Sequence, residues 1–400
     1  MNSKVVIVKC GSYDQEEVNS AVKRGIELLG GSEKFASPGE RILLKPNVLW
    51  GTDPQRCVVT HPAVFQAVAL QFKETGSSLL YGDSPGGVQP AMHALKKAGF
   101  HDVAMELGIE QGQFDHGKRV SFPDGITSKV LFIADAVLSC NGVISLPKLK
   151  THGLTRMTGA VKNQYGCVPG IVKGEYHARF PDIDQFSQLL VDITRFIKPR
   201  LYVMDAVNAM EGNGPQSGDP KKIGAILLST DPVAIDSVAC RIIDLDPSYV
   251  PPVRIGAQCG LGYSAQEQIE IVGDPVDLFI DRSFNVVRKA PPAIPRTRLL
   301  QALRKHFTPR PVIRKKLCTS CRRCVQVCPV DPKAIAVKEN SRIPRYDYSL
   351  CIRCFCCHEM CPSRAIYIDT PILKKLLPFA SYISLFISNL YSKMQKKVSG

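Results

Sequence analysis

The sequence predicts an α/β chain: a layered, mostly parallel sheet domain followed by a small α+β domain rich in cysteine. Three observations carry this reading. Strand-like apolar runs alternate with helix-like segments over residues 1–285, the pattern of a layered α/β domain. Several runs are continuously apolar, as in strands buried on both faces of a parallel sheet. Near the C-terminus, eight cysteines fall into two strings of identical spacing.

The candidate strands of the first domain are 5–9, 41–44, 78–81, 130–133, 143–146, 201–204, 223–228 and 269–272. Helical patterns lie between them. Asp14-x-x-Glu17 opens one as a capping box. Pro62 stands at the first position of another that runs to 75. Asp231-Pro232 opens a third, through Ile243, with Asp231 as its N-cap. Residues 286–316 read as a linker: prolines and basic residues alternate there, with a short helix at 297–307.

The first cysteine string is Cys318-x-x-Cys321-x-x-Cys324-x-x-x-Cys328-Pro329. The second, Cys351-x-x-Cys354-x-x-Cys357-x-x-x-Cys361-Pro362, repeats it 33 residues later. This is the spacing of a bacterial-type pair of [4Fe-4S] clusters, in which three thiolates of one string share a cluster with the fourth of the other. Cys318, Cys321, Cys324 and Cys361 then hold one cluster; Cys351, Cys354, Cys357 and Cys328 hold the second. A zinc ribbon would need two CxxC pairs with a longer gap. Cys356 fits neither cube and is left unligated. Each half, over 317–370, reads as cysteine loop, short helix and strand.

Residues 371–400 form a basic amphipathic tail. Ser381, Ser384, Ser388 and Ser392 share one helical face, opposite Phe379, Ile383, Phe386, Ile387 and Leu390. Pro378 and the serine face argue against a spanning helix. An interfacial helix in peripheral contact with a membrane is one reading; docking on the protein itself or on a second subunit is the other.

A chain of 400 residues holds two or three domains. The apolar run near the N-terminus is too short for a signal peptide. Fifteen cysteines, an odd number, then read as cluster ligands and reduced thiols in a cytoplasmic protein. The net charge of +15 is uneven: residues 281–400 carry 24 Lys and Arg against 6 Asp and Glu, and residues 1–280 carry 27 against 30. Part of the excess offsets the anionic clusters. The rest suits an acidic low-potential carrier, a ferredoxin or flavodoxin, or an anionic membrane surface, ahead of nucleic acid. A merely solvated basic surface is the plainer alternative.

Three longer motifs stand in the first domain. They are Leu43-Leu44-Lys45-Pro46-Asn47; Leu146-Pro147-Lys148-Leu149-Lys150-Thr151-His152-Gly153, continued by Gly159-Ala160-Val161-Lys162-Asn163; and Met210-Glu211-Gly212-Asn213-Gly214-Pro215 with Ser229-Thr230-Asp231-Pro232. Together they resemble the family called domain of unknown function 362, which often carries a C-terminal two-cluster ferredoxin domain. The resemblance implies the domain layout and says little about the reaction.

The residues themselves say more. Lys148, Lys150, His152 and Lys162 crowd the chain just after a predicted strand, and Lys45 and Asn47 end another. Ligands of open α/β sheets sit at such carboxyl ends. The expectation is a site where Lys45, Asn47, Lys148, Lys150, Lys162 and Asn163 bind a small anionic substrate, with His152 as proton donor. Asp205, Glu211 and Asn213 orient the lysines or hold a hard cation. Lysines ringing the sheet edge as solvated charge are the alternative. The Gly82–Gly87 loop could bind phosphate through its amides or be a plain turn. Cys167 is the free thiol best placed to act as nucleophile or ligand, and His61 belongs to a helix cap.

The resulting expectation is an iron–sulfur oxidoreductase that carries electrons through two [4Fe-4S] clusters to a small anion on the α/β domain. Two other classes stay open: a non-catalytic electron-transfer subunit, and a non-redox ligand-binding enzyme whose clusters stabilise or sense.

Overall fold

The computed structural model describes residues 2–87, 89–290, 308–338 and 341–369. The tail at 371–400, the helix expected at 297–307 and most of the expected linker fall outside these.

Ten strands form the main sheet: β1 (Ser3–Lys9), β2 (Arg41–Pro46), β3 (Ser78–Tyr81), β4 (Glu110–Gln111), β7 (Gly142–Leu146), β8 (Lys148–His152), β9 (Arg156–Thr158), β10 (Leu201–Glu211), β11 (Asp219–Ser229) and β12 (Ile269–Gly273). Their order is β12-β1-β11-β10-β7-β2-β3-β4, with β8 beside β10 and β9 beside β8. Six of the nine pairings are parallel. The layered, mostly parallel α/β domain expected from the sequence is therefore present.

Alternation along the strands sends side chains to two cores. Leu43, Val143, Tyr202 and Met204 pack on one face, where helices Ile183–Ile197 and Pro232–Ile242 lie. Ile42, Leu44, Ile144 and Val203 pack on the other, against helices Gln15–Leu28 and Pro62–Lys73. Fully burying one such Leu or Ile contributes about 1.5–3 kcal/mol. The helix starts follow their caps: Asp14 accepts from Glu16 N–H and Glu17 N–H, and Asp231 from Val233 N–H and Ala234 N–H.

Three strand expectations change. Residues 130–133 do form a strand, β6 (Val130–Ala134), but it pairs antiparallel with β5 (Gly117–Ser121) outside the main sheet. β10 and β11 run well past the apolar cores read from sequence, as an antiparallel pair extending to Glu211 and Asp219. Lys148–His152, expected only to follow a strand, is itself the buried strand β8.

The second domain begins inside the expected linker, because β13 (Arg310–Ile313) pairs antiparallel with β16 (Ile366–Asp369). Between them, β14 (Ile335–Ala336) pairs with β15 (Arg345–Tyr346). The repeat in sequence is also a repeat in backbone. Ser320 and Arg322 adopt left-handed φ of 58° and 60°; Arg353 and Phe355, 33 residues on, adopt 62° and 62°. Non-glycine residues pay roughly 1–2 kcal/mol for that conformation, so the same bend is imposed twice by the cysteine loops.

Candidate functional site

A cavity of about 330 Å³ lies where the two domains meet. From the α/β side come the loops after β2 and β3, with Asn47 and Asp83, the strand β8, with Lys150 and His152, and the segment bearing Lys162. Helix Gly170–Arg179 adds Lys173 and His177 one turn apart. From the cysteine-rich side come Cys328, Cys356 and Glu359. The cavity thus sits at the carboxyl ends of β2 and β3, where an open α/β sheet binds ligands.

The residues singled out from the sequence separate into three groups. Asn47, Lys150, His152 and Lys162 line the cavity. Lys45 and Asn163 lie one layer behind: Lys45 Nζ is 2.9 Å from Asp83 Oδ1 and donates to Asn163 Oδ1 at 3.0 Å. Asn163 Nδ2 donates to Ser145 Oγ, and Asn47 Nδ2 to Asn163 Oδ1, so one network holds the wall. The room for this network is set at Gly166, where an added Cβ would overlap Asp83 Oδ1 and stand 2.6 Å from Lys45 Nζ.

Lys148 and Asp205 face away from the cavity. Lys148 Nζ is 2.7 Å from Asp205 Oδ2 and donates to Tyr13 OH at 2.8 Å; Asp205 also accepts from His61 N–H. Both lysines expected to meet a ligand, Lys45 and Lys148, are instead matched by internal carboxylates, as full burial demands. Glu211 and Asn213 are elsewhere again. Glu211 accepts from Asn285 N–H at 2.7 Å. Asn213 ties the domains together: its Oδ1 faces His358 Nε2 at 2.9 Å and its Nδ2 donates to the Ile366 carbonyl.

Of the four lysines that line the cavity, Lys333 is exposed at the rim and Lys150, Lys162 and Lys173 lie further in. Lys150 donates to the Val58 carbonyl. Lys173 donates to the carbonyls of Ser84 and Pro85. Lys162 Nζ has no hydrogen bond or ion pair among the described residues; it lies 5.9 Å from the centre of the Tyr165 ring. Burial, then the charge of Lys162, pushes the Lys150 ammonium well below its ordinary range. Lys162 is lowered by burial as well, and Lys173 is pushed down to about 7, chiefly by burial.

His152 is held as a neutral imidazole. Its Nδ1 accepts from Leu154 N–H and Thr155 N–H. Burial, then Lys162, brings it down to about 4. Its Nε2 faces Glu359 Oε1 at 3.1 Å, off the line of a hydrogen bond, and neither atom has another partner. In the role of proton donor expected from the sequence, it therefore offers a neutral N–H. Burial works to raise the Glu359 carboxyl, but His152, Lys162 and His177 outweigh it and hold it low.

Two other expectations are corrected. The Gly82–Gly87 loop cannot cradle phosphate with these amides: Gly82 N–H, Ser84 N–H and Gly86 N–H already bond the carbonyls of Leu44, Gly166 and Leu49. Cys167 is a core thiol, fully buried and pushed up to about 12 by that burial. Asp83, Lys173, His177 and Glu359 were missed in the sequence. Lys173 and His177, at helical spacing i and i+4, offered the one readable clue.

Four of the cysteines in the two strings meet in one place. Cys328, Cys351, Cys354 and Cys357 line one small cavity of about 20 Å³, whose other walls include Pro311, Ile335 and Phe355. The Cys324 thiol is pushed up to about 12 by burial and then by Cys361, Cys321 and Cys318 beside it. Four sulfur donors to a centre is the ligand set that a cubane cluster takes. Cys321 is exposed, whereas Cys328 and Cys357 are buried, and Cys328 also lines the interdomain cavity. Among the described residues no helix is long and apolar enough to cross a membrane.

Comparison with known proteins follows the same division. Residues 42–241 match the family model described as Domain of unknown function (DUF362), and residues 310–362 match that of a 4Fe-4S dicluster domain. The chain is 33% identical over 308 residues to the thylakoid-associated protein sll1697 of Synechocystis sp., covering 77% of this chain and 95% of the relative. Among solved structures it is similar to the lactate racemase apoprotein of Thermoanaerobacterium thermosaccharolyticum, with a TM-score of 0.38 and 10% identity over 59% of this chain and 56% of that one. A protein from Thermotoga maritima gives a TM-score of 0.30 and 9% identity over 56% of this chain and 57% of that one. The chain thus spans little more than half the length of either structure.

Proposed function

Because the chain belongs to the family described as Domain of unknown function (DUF362) and ends in a 4Fe-4S dicluster domain, we propose that it is an iron–sulfur oxidoreductase acting on a small anion held between its two domains. Cys318, Cys321, Cys324 and Cys361 would hold one [4Fe-4S] cluster, and Cys351, Cys354, Cys357 and Cys328 the second. When bound, such clusters supply one-electron transfer at low potential.

One observation carries this reading. The cavity that presents Lys150, Lys162 and Lys173 also has Cys328, a ligand of the second cluster, in its wall. Cations that would seat an anion and the thiolate nearest the electron source share one space. The chain's own residues divide the work. Lys162, unpaired, attracts the anion. Lys150 and Lys173 add charge from fixed positions. Lys173, close to half-protonated at neutral pH, supplies a proton to the reduced product. The His152–Glu359 pair closes the wall and excludes water.

Electrons would come from an acidic ferredoxin or flavodoxin. Arg314, Lys315, Lys316 and Arg322 are exposed around Cys318 and Cys321, which favours an acidic partner there. Reduced thiols and clusters call for a reducing, cytoplasm-like compartment. A relative described as thylakoid-associated supports peripheral membrane contact, for which the tail at 371–400 is the candidate segment.

The test is re-oxidation. Anaerobically reduced protein is mixed with a set of small carboxylates and phosphates, and the visible absorbance of the clusters is followed. Saturable re-oxidation by one compound, at least tenfold slower in Lys162→Met, supports the reading. Re-oxidation that is equally fast in the variant contradicts it.

A further inference from the structure

We propose that the interdomain cavity is completed by a small dianion, a ligand bearing two full negative charges, such as a dicarboxylate. The inference rests on the anion site proposed above and specifies its substrate class.

The argument is one of charge. Four ammonium groups surround the cavity: Lys150, Lys162 and Lys173 on its wall, and Lys45 directly behind. Two buried carboxylates face them, Asp83 and Glu359. Asp83 is matched by Lys45. Glu359 stands against His152. Both imidazoles, His152 and His177, are neutral near pH 7. Among the described side chains, two positive charges are left without a carboxylate.

Carbonyl groups do not replace one. Among the described residues Lys150 donates to the Val58 carbonyl, Lys173 to those of Ser84 and Pro85, and Lys162 makes no hydrogen bond and only faces the Tyr165 ring. Dipoles soften the loss of water around an ammonium but leave the charge uncancelled. Glu175 and Lys333 are exposed at the rim, where water solvates them. Burial, the leading cause in each case, lowers the proton affinity of Lys150, Lys162 and Lys173, so an anion beside them would favour their charged forms. A volume of about 330 Å³ suits a small ligand.

The experiment is calorimetric titration of the anaerobic holoprotein with a matched series. Succinate, succinamate and succinamide keep one skeleton and carry two, one and no negative charges. Inorganic phosphate tests a dianion of different shape. Succinate should bind at least tenfold more tightly than succinamate, and succinamide should not bind. Lys162→Met and Lys173→Met should each weaken succinate at least tenfold, and Lys162→Arg should restore most of the loss. Iron content and the emission of Trp50, which Arg323 of the cluster domain covers at 4.6 Å, report whether each variant is folded and docked. Binding of phosphate in place of succinate keeps the dianion and changes its identity.

Equal affinity for succinate and succinamate overturns the inference, because the clusters' own charge would then balance the lysines. So does failure of both dianions to bind. Succinate that binds without re-oxidising the reduced protein leaves this inference standing and counts only against electron transfer to that compound.

Discussion

Lys148 and Lys150 are two residues apart on one buried strand and meet different partners. Lys148 is matched by Asp205, whereas Lys150 faces the cavity with a single carbonyl. Opposite consequences follow. Lys148→Met strands a buried carboxylate and should cost about 3–5 kcal/mol in chemical denaturation. Lys150→Met removes an unmatched charge, so stability should hold or rise while anion affinity drops. The two variants' unfolding curves, set beside their binding titrations, check this contrast. Lys173 sets the pH dependence. An ammonium is charged below its pKa, so anion affinity should decline as pH rises through about 7. Asp83, Lys45, Lys162 and Cys167 face the group and define that value together with burial. Lys173→Arg stays charged and should flatten the profile between pH 6 and 9, on the order of the guanidinium's pKa above 12. The crowding of Lys148, Lys150, His152 and Lys162 was legible in the sequence. Which of them meet carboxylates was not, because Asp205 and Asp83 arrive from distant strands. Glu359 was hidden for another reason: it lies inside a cysteine string whose spacing accounts for every position by the ligands alone.

At the level of elements, the turn Cys356–Glu359 joins the two halves of the account. It carries the ligand Cys357 together with His358 and Glu359, which touch Asn213 and His152 of the larger domain. Cluster assembly and the shape of the cavity wall are thereby linked through four residues. Cys328→Ala should lower bound iron by roughly half, since each cubane holds four irons, and should also loosen the cavity wall. Cys356→Ser should leave iron unchanged. Iron and sulfide assays on both variants decide the matter. The paired cysteine loops and their following strands were readable from spacing and apolar runs. β8 was not, because a strand with Lys148, Lys150 and His152 buried reverses the usual rule that charged side chains face water. β13 was missed for a similar reason: Arg310-Pro311-Val312-Ile313 has the proline and charge of a linker, and only pairing with β16 makes it a strand.

On the scale of the whole molecule, one end of the path is open and the other enclosed. Exposed basic residues surround Cys318 and Cys321, whereas the buried Cys328 lines the cavity. Docking of an acidic carrier at the open end should weaken steeply with salt, as exposed charges are screened over about 8 Å at physiological ionic strength. Surface-binding measurements at low and high salt test it; affinity that ignores salt counts against electrostatic docking. The domain order and the charge asymmetry were visible in sequence. The cavity was not, since it belongs to neither domain alone. On the proposed reading Lys162, which has no hydrogen bond or ion pair among the described residues, and the second cluster, through its ligand Cys328, border one space. Removing a positive charge beside a cluster disfavours the more negative reduced state and lowers its potential. The most direct measurement is a redox titration of the wild-type protein and Lys162→Met, followed by the electron paramagnetic resonance of each reduced cluster. The account predicts that one potential moves negative and the other stays in place; two unchanged potentials would contradict it.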